Sequence, residues 1–219
     1  MTRLLWYALG SMDTARPAER VPAAVVYPVF LISGFAAILY QLVWQRALFR
    51  LLGSSMESVT LIVTAFMLGL GLGSLAGGAL STNRRVPLPL LFGAVELGIG
   101  AFGFVSMPLF TWVAAETPTA TGLSIGLIAF TAVLVPTLLM GGTLPILVAS
   151  LVGDSGNVGR SVGLLYFVNT LGSALGSLAA ALWILGALGQ RGSVLLAAAI
   201  NVGVAAAVVL SHYMARRRA

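Results

Sequence analysis

The chain has 219 residues, of which 59% are hydrophobic and 8% charged, with a formal net charge of +6 and a mean hydropathy of +1.03. Such a chain has hydrocarbon as its main solvent and leaves too little polar sequence for a water-soluble catalytic domain. The absence of cysteine excludes disulfides, thiolate catalysis and cysteine-ligated metals, and a single histidine, His212, excludes a histidine cluster, so neither metal nor cofactor is expected.

Residues 1–23 open with Arg3 and a short apolar run from Leu4 to Leu9, followed by Asp13, Arg16 and Arg20. The run is too brief for a secretory signal and predicts a cytoplasmic interfacial segment with Trp6 and Tyr7 at headgroup level. Long apolar stretches then predict spanning helices over 24–45, 58–82, 88–113, 119–142, 161–187 and 191–213. Each approaches or exceeds the roughly 20 residues that a crossing requires. Continuous runs favour helices over barrel strands, which alternate. The expectation is an all-α, polytopic membrane protein, with one six-helix transmembrane domain over 24–214 and a basic cytoplasmic tail over 215–219. Because the fourth apolar run continues to Val152, Gly141, Gly142 and Pro145 are expected to break that helix and leave a short interfacial helix behind.

All basic residues are arginine. With the N-terminus inside, Arg3, Arg16, Arg20, Arg84, Arg85, Arg160, Arg216, Arg217 and Arg218 fall on the cytoplasmic side, against Arg46, Arg50 and Arg191 opposite. The positive-inside rule therefore places both termini in the cytoplasm. The arginines sit at helix ends beside lipid headgroups and form no patch interleaved with aromatics, which argues against nucleic acid.

Leu72-Gly73-Ser74-Leu75-Ala76 in the second span recurs as Leu175-Gly176-Ser177-Leu178-Ala179 in the fifth, each ahead of an arginine-bearing turn. The offset carries the second span onto the fifth and the third onto the sixth. A repeat of three helices, an odd number, re-enters the membrane from the opposite face, so two inverted three-helix repeats are expected, as in secondary transporters. Gly69, Gly73 and Gly77 share one face of the second span, and Gly172 and Gly176 one face of the fifth, the spacing that lets helix backbones approach closely.

Glu96 is the one formal charge well inside a span. A carboxylate among acyl chains costs several kcal/mol, so Glu96 is expected to face the bundle. Counting to equal depth in the other spans gives Ser33, Ser74, Thr137 and Asn169, a polar layer in which only the sixth span supplies alanine. Two roles follow for Glu96: a proton-titrating or cation-binding position, or a hydrogen bond pinning the third span to Asn169. Gln41 is placed toward the outer end of the first span, away from Glu96, where Gln41, Gln45 and Arg46 form a second candidate polar site. Asn201 reads as a helix-packing amide and His212 as an interfacial residue.

Several of these segments resemble the membrane region that precedes the catalytic domain in bacterial fused major-facilitator-like/spermidine synthase proteins. They are 30–41, with Ser33-Gly34 and Tyr40-Gln41, then Trp44-Gln45-Arg46, Ala65-Phe66-Met67, Glu96-Leu97-Gly98-Ile99-Gly100, the run from Pro136-Thr137 to Leu144-Pro145, and the segments around Gly163-Leu164-Leu165-Tyr166 and Asn169-Thr170-Leu171-Gly172. The 77–85 turn also looks like the loop between the second and third helices of major facilitator transporters, with Ser81, Thr82 and Asn83 where that loop usually has an acidic residue. The resemblance implies half of a major-facilitator-like bundle in the bacterial inner membrane. These 219 residues hold no synthase domain and no enzyme activity is expected. What the resemblance implies is a noncatalytic membrane subunit that docks or serves a separate enzyme or membrane complex. The alternative is a half-size, proton-coupled transporter that pairs with a copy of itself.

Overall fold

The computed structural model describes residues 21–53, 55–82, 86–116, 122–155 and 157–218. Residues 1–20 of the predicted N-terminal interfacial segment, and Asn83, Arg84 and Arg85 of the second turn, lie outside the described residues. The elements are α1 (Ala23–Leu52), α2 (Ser55–Ser81), α3 (Leu88–Glu116), α4 (Gly122–Ser155), α5 (Val158–Ala179), a π-helical segment (Ala180–Ile184) and α6 (Leu185–Arg218). The chain is thus an all-helical, polytopic membrane protein. Five helical stretches are long and apolar enough to cross a bilayer, the last of them the 60 residues Val158–Arg217. Large apolar side chains such as Met56, Leu75 and Trp183 point outward, as a lipid-facing surface requires.

Local chemistry sets the helix ends. Pro22 precedes α1, and Gly53, at φ 70°, closes it in the left-handed region with its N–H donating to Phe49 O at 2.9 Å. Ser81 and Thr82 end α2 by donating to the carbonyls of Gly78 and Ala79. The Asn157 side chain caps α5 by accepting from Arg160 N at 2.9 Å. Gly189 adopts φ 63° and ψ −173°, a conformation closed to ordinary L-residues, and interrupts the helical path within α6.

One sequence expectation is overturned. α4 does not break at Gly141, Gly142 and Pro145; it runs as one 34-residue helix. Packing decides this against local propensity, because the two glycines form a flat strip against α2. A Cβ on Gly141 would stand 2.4 Å from Leu70 O, and one on Gly77 would stand 2.5 Å from the Gly142 Cα. Close van der Waals contact along that strip offsets the hydrogen bond that Pro145 removes. At about 51 Å, such a helix outruns a hydrocarbon core of about 30 Å, so it tilts or projects from it.

The closest packing partners are α2 with α4, α1 with α5 and α3 with α6, followed by α1 with α6 and α3 with α4. Contact order along each pair gives direction. Gly69, Gly73 and Gly77 meet Thr137, Leu138 and Gly142, so α2 and α4 run parallel. Gly172 and Gly176 meet Leu31 and Phe35, so α5 runs parallel to α1. Gly93 meets Ala205 and Val209 while Gly100 meets Ala198 and Val202, so α6 beyond Gly189 runs antiparallel to α3. Around α1 the core is aromatic: Trp44 stacks on Tyr40 at 4.9 Å between centroids, meets Phe102 edge-on at 5.5 Å, and donates to Ser106 Oγ at 3.1 Å.

Candidate polar site in the bundle

Glu96 sits on α3 with no exposed surface. Ser33 Oγ, from α1, donates to Glu96 Oε1 at 2.7 Å, and Asn201 Nδ2, from α6, donates to Oε2 at 2.6 Å. Tyr40 Oη, two turns along α1 from Ser33, donates to Asn201 Oδ1 at 3.0 Å. The phenol thereby fixes the Asn201 amide with its NH2 group toward the carboxylate. The result is a closed loop in which α1 grips α3 directly through Ser33 and indirectly through Tyr40 and Asn201. Gly103 leaves the space for it, since a Cβ there would stand 2.5 Å from Tyr40 Oη.

This loop corrects two sequence expectations. The partner of Glu96 on its far side is Asn201, not Asn169, and the sixth helix joins the polar layer with an amide rather than withdrawing with an alanine. Asn201 lies one helical turn from the alanine reached by counting depth, a distance that a glutamate side chain spans. Of the other layer residues, Thr137 is buried at the α2–α4 seam, where its hydroxyl approaches Ala65 O at 3.3 Å and Leu134 O at 2.9 Å. Ser74 faces outward on α2. His212, expected at the interface, is fully buried and tilts against Tyr213 at 5.6 Å between ring centroids.

Beside the loop lies a cavity of about 140 Å³. Its polar wall consists of Ser33, Gln41, Thr143, Asn169, Ser173 and Asn201, and its apolar wall of Ala37, Ile38, Phe66, Leu70, Ile99 and Met140. Gln41 therefore borders the same space as the two residues bonded to Glu96, although the sequence placed it apart. Gln45 and Arg46 do not line it, and Arg46 is exposed. Glu96 stands one layer behind the wall, reached through Ser33 and Asn201. Thr143, Ser173 and Tyr40 escaped the sequence reading; the signal for Tyr40 was its seven-residue spacing from Ser33, which puts both on one face of α1.

Three of the glycines named from the sequence, Gly69, Gly73 and Gly172, have the shortest approaches among the described glycines, and Gly77 and Gly176 are also in close contact. A Cβ on Gly69 would stand 2.0 Å from Thr137 Oγ1, one on Gly73 2.0 Å from Leu138 O, one on Gly172 1.9 Å from Leu31 O, and one on Gly176 2.8 Å from Phe35 O. Chemically, the site offers a carboxylate that accepts one hydrogen bond on each oxygen from neutral donors, next to a half-polar cavity. No group of three or more potential metal-ligating His, Asp or Glu side chains occurs among the described residues. Comparison of the chain with family models, curated proteins and solved structures finds no match.

Proposed function

We propose that the chain is a noncatalytic membrane module of transporter architecture, in which six crossings form two inverted units of three helices around a small solute-binding cavity. Both termini would lie in the cytoplasm of a bacterial inner membrane, on the arginine distribution. The 60-residue stretch Val158–Arg217 would measure about 90 Å as a single rod, three times the hydrocarbon thickness. α5 runs parallel to α1 and α6 beyond Gly189 runs antiparallel to it, from Tyr40–Asn201 to Arg50–Gln190, which supports a reversal near Gly189 and two crossings.

The inverted repeat gains support from the packing. An offset of 103 residues, from Leu72 to Leu175, carries the α2–α4 pair onto the α5–α1 pair. It also carries one glycine-on-carbonyl contact, Gly73 on Leu138, onto the other, Gly176 on Phe35.

One observation carries the functional reading: three residue pairs at that same offset, Phe66 with Asn169, Leu70 with Ser173 and Ala37 with Met140, all line the cavity. The cavity thus lies where the repeats meet, the place where transporters of inverted-repeat design bind their solutes. This weighs toward the carrier, which the sequence alone put second. Pairing with another copy or with a second protein would complete a passage.

The chain is naturally free of cysteine, so single cysteines test the proposal directly. Cysteines at Gly53 and Arg191 should react with an impermeant maleimide from the periplasmic face, and those at Val86 and Asn157 only from the cytoplasmic face. Ala37→Cys, in the cavity wall, should react from either face in oriented vesicles. Labelling from one face alone would end the carrier reading. The resemblance to the fused synthase proteins supports a second reading, a docking subunit, whose mark is an aminopropyltransferase retained through purification.

A further inference from the structure

The cavity wall has an uneven hydrogen-bonding character. Ser33 commits its hydroxyl proton to Glu96, Ser173 to Gly34 O at 3.0 Å and Thr143 to Met140 O at 2.7 Å. A hydroxyl has one proton and two lone pairs, so each of these three can only accept from whatever enters the cavity. Asn201 gives one N–H of its amide to Glu96, and its carbonyl accepts from Tyr40. The three hydroxyls of the polar side are therefore acceptors, and two of the wall residues are backed by a carboxylate. The amides of Gln41 and Asn169 can present either a carbonyl or an NH2 group, and arginine is absent from the lining. A donor-rich cation satisfies the three hydroxyl oxygens, with the amide carbonyls able to join them; an anion or a pure acceptor leaves those oxygens unmatched. A single carboxylate balances one charge and no more.

The remaining wall is hydrocarbon, with Phe66, Leu70, Ile99 and Met140. A bare alkali ion would require several oxygens converging closely and would leave this side empty. An alkyl group fills it.

We propose that the cavity binds a small organic cation of single charge, an alkylammonium. Its headgroup lies against the oxygens of Ser33, Thr143 and Ser173, its alkyl part against Phe66 and Leu70, and Glu96 supplies the counter-charge from behind Ser33 and Asn201. The assignment deepens the solute-binding reading above and rests on it for access to the cavity.

The test is titration of the whole chain in nanodiscs with ethylammonium, followed by saturation-transfer NMR. Saturable binding is expected in the millimolar range, the limit for so few non-hydrogen atoms. Ethanol, of similar size but neutral, should give none. As competitors, K⁺ and doubly charged 1,4-diaminobutane should each be at least about tenfold weaker than propylammonium. Glu96→Gln should weaken ethylammonium at least about tenfold. Ala37→Leu, which fills the cavity and leaves the hydrogen-bonded loop intact, should abolish binding even if the glutamine variant does not fold. Absence of saturable ethylammonium binding, equal binding of ethanol, displacement by K⁺ or 1,4-diaminobutane as effective as by propylammonium, undiminished binding to Glu96→Gln, or retention in Ala37→Leu would each overturn the assignment. Failure of binding with two-sided labelling of Ala37→Cys removes the ligand class alone. Binding with one-sided labelling removes carriage and leaves the ligand class standing.

Discussion

Two kinds of seam hold this bundle together. Where α2 meets α4 and α5 meets α1, backbones touch at glycine, and what matters is the lack of a side chain. Where α3 meets α1 and α6, Gly93, Gly100 and Gly103 also allow approach, but the seam is tied by Glu96, Ser33, Asn201 and Tyr40, and what matters there is the matching of donors to acceptors. In lipid there is no hydrophobic drive between helices, so close packing and hydrogen bonding must each do their part. A steric seam tolerates no enlargement but is indifferent to polarity. A polar seam tolerates an isostere but not an orphaned partner.

The largest effect is expected from enlarging the steric seam. Gly73→Leu drives a Cβ into Leu138 O, which is backbone and cannot rotate away, so α2 and α4 must separate. A loss of about 3 kcal/mol or more follows, readable as a lowered melting transition in detergent. An unchanged melt would show that the two helices do not approach as described. Glu96→Leu comes next. It leaves the Ser33 hydroxyl and the Asn201 amide without their acceptor on the buried side of the cavity wall, at a cost of about 2 kcal/mol, and the Ser33→Ala/Glu96→Leu double variant should lose less than the sum of the singles. Strict additivity would mean that the two side chains do not interact.

How far the sequence reached follows from the same contrast. Glycines four apart name a helix face outright, because the period of an α-helix is fixed, so the α2 and α5 sides of the steric seams were readable as a pattern, whereas Gly141 and Gly142 on α4 read as a break. The apolar runs likewise gave the all-helical architecture, although α4 continues where a break was expected, packing having won over propensity, and the fifth and sixth runs form one continuous helical stretch, Val158–Arg217. The polar seam was readable only in half. Glu96 stands out as a charge among apolar residues, and Ser33 lies at its depth. Asn201 does not, because depth counting treats side chains as points, whereas a glutamate reaches across a full turn of its neighbour. Gln41, Thr143 and Ser173 come together only through helix crossings, and crossing geometry is not encoded in the spacing of residues on any one helix.

Smaller changes sharpen the comparison. In Glu96→Gln, the amide carbonyl can accept from Asn201 while the new NH2 group donates to the Ser33 oxygen, whose hydroxyl is free to turn. The loop then closes again, and stability should fall by under about 1 kcal/mol, well short of the leucine variant. Equal damage from both would show that the polar seam depends on charge rather than on donor–acceptor matching.

The smallest effect belongs to Gly71→Leu, two residues from Gly73 on the same helix. A Cβ at Gly71 meets nothing within 4 Å, so the added side chain extends outward from the bundle. The monomer should melt within about 0.5 kcal/mol of the parent, the range of substitutions away from packed features. The pairing of these two glycines isolates contact from composition, since both remove the same flexible residue from the same helix. A destabilisation at Gly71 that weakens on dilution would place a second copy of the chain against the outer face of α2, and would turn an outward surface into a third steric seam. A destabilisation independent of concentration would mean instead that backbone flexibility, not close approach, is what glycine contributes to α2.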